Sequence, residues 1–253
     1  MPALSGYAEL FGGKFVVESK SEKHSLAGAT GSANANFDQR WNVQADVTYD
    51  SLNFAGSKVS GFGAAAHVYW RDPLSFALGG FATVSKARWA VVGNKINIAN
   101  QWTAGLEAQA YLEKITLYGQ VWAGKSQTFS NPALNQIGAR MAARYYISEN
   151  LRLDGEVSYT SSTKDLVRDS NAVAATQINY RLEAVPVTLF GRFQWEQHHT
   201  NSISPNATTV KKLFVGLRFS FGSNSLKDEE RNGAAMDIYR PNLPVIPQNV
   251  YAG

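Results

Sequence analysis

The chain has no cysteine among its 253 residues. That absence excludes a disulfide scaffold, cysteine-ligated zinc, an iron–sulfur cluster and any thiol nucleophile. No apolar run approaches the roughly 18 residues of a membrane-spanning helix. No basic, apolar and small-residue leader pattern follows Met1. The expectation is therefore a chain that is not exported, or one written from at or near its mature end. The formal charge of +4 is too mild to imply a nucleic-acid partner. Helical periodicity is missing throughout. What is abundant is apolar residues, 44% of the chain, too many for a disordered polymer.

Those residues recur with period two. The alternation predicts twelve antiparallel strands over 4–17, 25–37, 40–50, 58–70, 74–85, 101–113, 115–125, 136–147, 151–161, 172–183, 187–197 and 208–222. The connections alternate in length. Short ones include 38–39, 71–73, 113–114, 148–150 and 184–186, whereas polar ones over 18–24, 51–57, 86–100, 126–135, 162–171 and 198–207 read as long loops. Short turns at one end and long loops at the other describe a transmembrane barrel. An even strand number puts both chain ends on the short-turn side, and it depends on the small-residue strand containing Ala27, Ala29, Gly31, Ala33 and Ala35.

Each strand divides into an apolar and a polar face. Over 208–222 the apolar face is Leu213, Val215, Leu217, Phe219 and Phe221, and the other is Lys212, Phe214, Gly216, Arg218 and Ser220. A soluble barrel could show the same split. Two features favour lipid. The apolar faces run over about 9–11 residues of strand, the reach a tilted strand needs to cross a bilayer. Aromatics also stand at both ends of that face: Trp41, Trp70, Tyr145 and Phe221 near the short turns, and Tyr49, Trp102, Tyr159 and Trp195 near the long loops. The fold class expected is all-β, an up-and-down transmembrane barrel over 1–222 with an irregular tail over 223–253.

The stretch Gly216-Leu217-Arg218-Phe219-Ser220-Phe221 resembles the terminal-strand signal of Gram-negative outer-membrane β-barrel proteins, a glycine followed by alternate aromatics. With the alternation over 4–222, the chain resembles a porin-like barrel of that class. The resemblance implies a bacterial outer-membrane location, contact with outer-membrane lipids and lipopolysaccharide, and recognition by the barrel-assembly machinery through Gly216, Phe219 and Phe221. It departs from the pattern because the signal normally closes the chain, whereas here residues 223–253 follow.

The polar faces supply a candidate lining. Arg140, Arg144, Arg152, Arg181, Arg192, Lys212 and Arg218 gather on the C-terminal six strands, and the acids are Glu9, Asp46, Glu107, Asp154, Glu156, Glu183 and Glu196. The N-terminal half has almost no interior cation. Cations in excess on one wall predict a mild preference for anions. Interior Tyr7, Phe11, Tyr69, Phe81, Tyr111, Tyr118, Trp122, Tyr146 and Phe190 are expected to narrow the passage. Two readings stay open: a channel for small polar or anionic solutes, and a largely occluded barrel with a structural or partner-binding role.

Catalysis is not expected. A hydrolase needs serine, histidine and an orienting acid in reach. His24, His198 and His199 fall in loops and His67 on an interior face, with no spacing that specifies a triad or a metal site. No cofactor is implied. The tail breaks the alternation with a charge cluster, Lys227 to Arg231, then scattered apolar residues. Ile238, Tyr239, Leu243 and Ile246 would suit capture by a partner, or the tail could fold into the lumen as a plug. Small residues on the lipid face, Gly6, Ala8, Gly12 and the 25–37 strand, mark a thin wall where a protein neighbour or a second copy could approach.

Overall fold

The computed structural model describes residues 3–18, 23–38, 40–54, 57–91, 94–128, 131–201 and 204–237. Six strands build the first half: β1 (Leu4–Val17), β2 (Lys23–Phe37), β3 (Trp41–Phe54), β4 (Ser57–Asp72), β5 (Phe76–Val91) and β6 (Asn94–Tyr111). The second half comprises β7 (Ile115–Thr128), β8 (Asn131–Ser148), β9 (Leu151–Lys164), β10 (Val167–Arg181), β11 (Val187–Thr200) and β12 (Ser204–Phe221). Each pairs antiparallel with its sequence neighbours, and β1 pairs with β12, so the sheet closes into a twelve-stranded barrel without an edge. The small-residue strand β2 is part of the wall, bonded to β1 from Leu4↔Ala35 to Val16↔Lys23 and to β3 from Ser25↔Asn53 to Phe37↔Trp41.

The apolar side of the alternation faces outward. Leu10, Leu106 and Met141 are 65–68% exposed, while the inward Gln44, His67 and Arg71 are fully buried. A water-soluble barrel would reverse that arrangement, so the outside is built for hydrocarbon. Trp41, Trp102, Tyr145, Tyr159 and Phe221 are all exposed on this outer surface. Phe221 lies across the closing seam, where its ring covers Gly6.

The long loops expected from polarity are largely ladder. The segment 86–100 is nearly all strand, with β5 running to Val91 and β6 starting at Asn94. The segment 162–171 is a hairpin whose strands end at Lys164 and restart at Val167, with Asp165 at a φ of 53° in its turn. Beyond the hydrocarbon both faces of a strand can be polar, so the alternation fades while the backbone pairing continues.

Interior rings take less of the lumen than their volumes suggest. Phe11, Phe190 and Trp122 lie opposite Gly28, Gly216 and Gly138 on neighbouring strands. A Cβ on any of those glycines would meet its ring at 2.3 Å, so the rings rest flat against the wall. Towards the long hairpins the interior turns apolar, with Phe15, Val17, Leu26, Leu52 and Val59 packed together.

After β12 the chain turns back. Gly222, at a φ of 73°, makes the reversal, and a side chain there would meet the Leu4 carbonyl at 2.6 Å. The short helix α1 (Leu226–Asn232) follows, started by Ser225, whose side chain accepts from the Asp228 N–H at 3.0 Å. Leu226 and Met236 are fully buried. The tail therefore enters the barrel from the short-turn end.

Candidate functional site: the plugged lumen

Helix α1 lies across the short-turn mouth and is fastened to three turns. Lys227 N–H donates to the Glu149 carbonyl at 3.2 Å. Arg231 donates to the carbonyls of Pro73 and Leu112 at 3.2 and 2.6 Å, and its guanidinium lies 4.6 Å from the Tyr111 ring centre. Residues 233–237 then run up the lumen, gripped through their backbone by inward side chains. Arg71 donates to Gly233 O at 2.9 Å and Gln109 to Ala235 O at 3.1 Å. The Gln44 amide closes a two-bond clasp on Met236, at 2.6 and 3.2 Å. Gln120 donates to Asp237 O at 3.1 Å, and Tyr118 Oη accepts from Asp237 N–H at 3.3 Å.

The opposite wall holds the segment by charge. Asp237 bridges Arg140, at 2.7 Å, and Arg144. Glu230 bridges Arg144 at 2.5 Å and Arg152 at 3.3 Å. Glu229 meets Arg218 at 3.0 Å and Arg181 at 3.4 Å. The remaining pairs are internal to the wall: Arg218 with Glu9, Arg152 with Asp154, Arg140 and Arg192 with Glu156, and Lys212 with Glu196. Asp237 is carried by the segment rather than by a strand. Burial opposes its ionisation, but the guanidinium groups of Arg144 and Arg140 outweigh this and hold its carboxyl well below the usual range.

A second cluster supports the clasp from below. His67 Nε2 lies 3.0 Å from Asp46 Oδ2, and its Nδ1 lies 2.8 Å from Glu107 Oε1. The ring is thus hydrogen-bonded to Glu107 and lies within ion-pair distance of Asp46. Asp46 in turn accepts from Gln44 at 3.0 Å. Glu107 accepts from Tyr118 at 2.6 Å and from Gln120 at 3.2 Å. The three side chains that grip the backbone of residues 236 and 237, Gln44, Tyr118 and Gln120, are thus oriented by one buried acid–histidine–acid group.

Beside Asp237 a cavity of about 200 Å3 remains, lined by Arg192, Lys212 and Arg218 together with Phe11, Leu26 and Phe190.

Among the lining residues expected from sequence, Arg140, Arg144, Arg152, Arg181, Arg192, Lys212, Arg218, Asp46 and Glu107 all point into the lumen. Glu183 does not: it stands exposed in the β10–β11 turn, because the ladder ends at Arg181 and the alternation no longer applies. Arg71, expected in a turn, is instead fully buried inside β4, so the N-terminal wall does carry a cation. The excess positive charge expected on one wall is paired off, three carboxylates coming from the tail. Ile238, Tyr239, Leu243 and Ile246 lie outside the described residues. Gly216 faces the lumen, whereas Phe219 and Phe221 face outward, 54% and 41% exposed. The Asp46–His67–Glu107 group was missed because its members sit on three strands, and the only local signal was one inward histidine between inward acids.

The sequence matches no known family model and no curated protein. Its fold has solved counterparts. The NanC porin is 8% identical, with 84% of this chain and 98% of that chain covered and a TM-score of 0.56. The translocator domain of the autotransporter NalP from Neisseria meningitidis is 10% identical, covering 87% and 89% with a TM-score of 0.51. The KdgM porin is 9% identical, covering 84% and 99% with a TM-score of 0.50. At such identities the likeness is one of architecture: the chain is a closed twelve-stranded barrel similar in fold to these outer-membrane porins and to this autotransporter translocator domain, with no narrower family shown.

Proposed function

We propose that the chain is a bacterial outer-membrane conduit for small acidic solutes, closed at its periplasmic end by its own C-terminal segment. One observation carries this. The wall from β8 to β12 presents seven lumen cations, Arg140, Arg144, Arg152, Arg181, Arg192, Lys212 and Arg218, against the four carboxylates Glu9, Asp154, Glu156 and Glu196. Glu229, Glu230 and Asp237 of the segment make up the difference. With the segment withdrawn, the wall carries uncompensated positive charge, the lining that selects anions. A KdgM porin structure in complex with disordered oligogalacturonate provides a precedent for an acidic solute in a barrel of this architecture. No catalysis is included in the reading. Both His67 nitrogens face carboxylates, which leaves that ring no nitrogen to activate a hydroxyl.

The test is single-channel conductance in planar bilayers of the full chain and of a form ending at Gly222. The Glu229→Gln/Glu230→Gln/Asp237→Asn variant serves as a second opening that leaves the rest of the segment's sequence, Leu226 and Met236 included, unchanged. Anion-selective conductance in either opened form, with little in the full chain, is expected. Silence in both opened forms overturns the conduit. A second reading, a scaffold barrel that meets a neighbour or a copy of itself through its wall, is favoured by the small outward residues Ala8, Ala27, Ala29, Gly31 and Ala33 on β1 and β2.

A further inference from the structure

The outer wall holds cations that the lumen does not use. Outward alternation on β4, β5 and β7 carries Phe62, Val84 and Val121, all more than half exposed, and the same parity sets Lys58, Lys86, Arg88 and Lys125 outside near the long hairpins. Register gathers them. Phe62 lies opposite Lys86, and Ser60 lies opposite Arg88. One step towards the middle of the wall, Val84 lies opposite Trp102, and Trp102 opposite Lys125. Residues 73–106 and 114–148 contain no Asp or Glu, so no acid of these strands stands beside the cluster. Among the described residues none of the four cations makes an ion pair, whereas Lys211 on the far side of the barrel is paired with Glu18 at 2.6 Å.

Beneath the cations the wall is hollowed. An open groove of about 590 Å3 runs past Phe62 and Trp102 over Ala64 and Val84. The next outward row is Ala66, Ala82, Ala104 and Ala123, one alanine on each of four neighbouring strands. Unpaired cations just above a trough of small apolar residues match an amphiphile with an anionic head and hydrocarbon chains. Lysine ammonium groups are strong phosphate partners, and cations at the edge of the hydrocarbon gain from anionic headgroups. Trp102 stands at the level where amphipathic rings mark the interface.

We propose that this groove holds a phosphorylated, multiply acylated lipid of the outer leaflet. Its phosphates sit on Lys86, Arg88 and Lys125, and its chains lie over the alanine row. The site rests on the membrane placement above but not on a conducting lumen, so conductance and lipid capture fail separately.

The experiment is native mass spectrometry of the full chain in detergent with deep-rough lipopolysaccharide, before and after enzymatic removal of its phosphates. The wild type is expected to retain the phosphorylated form at least tenfold better. Lys86→Gln/Arg88→Gln/Lys125→Gln should abolish that preference, and Lys125→Gln alone should reduce it. The control Lys14→Gln/Lys164→Gln/Arg168→Gln, three exposed cations at the same end, should keep it. An unchanged preference in the triple variant, or an equal loss in the control, overturns the site. Displacement by equimolar inorganic phosphate overturns the choice of a lipid.

Discussion

Glu230 is the segment residue whose loss the structure makes most costly. Its carboxylate, only 2% exposed, touches both Arg144 and Arg152 at the end of helix α1. Replacement by glutamine keeps the shape and removes the charge. Arg144 would retain Asp237 and Arg152 would retain Asp154, but the seven lumen cations would then share six carboxylates, leaving one buried positive charge uncompensated. Breaking a buried ion pair from one side costs about 3–5 kcal/mol. At about 1.4 kcal/mol per tenfold, that raises the ratio of undocked to docked segment roughly a hundredfold to several thousandfold. The assay is open probability in planar bilayers across a cycle of Glu230→Gln, Arg144→Gln and the double variant. Because the two groups share one contact, the double variant should open little more than either single one. Strictly additive effects would show that the pair does not hold the segment. Increased conductance without increased open probability would locate the effect in permeation instead.

Replacing His67 with leucine should destabilise the barrel, because Asp46 and Glu107 would face each other buried and uncompensated. The loss is about 3–5 kcal/mol, read as a lower urea midpoint by tryptophan fluorescence, and an unchanged midpoint would refute the bridging role. Docking should also depend on pH in one direction. Asp237 is held below its ordinary range when docked, so its contribution is complete above the free-segment value of about 3.9 and fades as pH falls towards the docked value. Open probability should therefore be flat from neutral pH down to about pH 5 and rise only below about pH 4. Opening near pH 6 would mean that a different group fastens the segment.

Much of the barrel was legible because its solvent is lipid. An apolar outside and a polar inside force period two on every strand that crosses, so Leu213 to Phe221 against Lys212 to Ser220 discloses both the strand and its faces. Even β2, whose outward residues are alanine and glycine, was recoverable from alternation, and the even strand number rested on accepting it. The hairpin tips were not, since polarity outside the membrane hides a continuing ladder, as over 86–100. Turn residues misled for the opposite reason. Arg71 and Glu183 sit at ladder ends, where one residue of register decides between lumen and solvent.

What the sequence alone determined is the set of surfaces: twelve strands, an outer face for hydrocarbon, and an inner face rich in arginine on its C-terminal half. Those follow from local spacing, which a strand's geometry translates directly into sides. What only the tertiary structure decided is the pairing across the lumen. Arg144 meets Glu230 86 residues away, and Gln44 grips Met236 192 residues away. No local pattern encodes such partners, because they are chosen by barrel closure and by the path of a tail that has no periodicity of its own. The charge that reads from sequence as a selective lining is, in the folded chain, already answered by the chain itself.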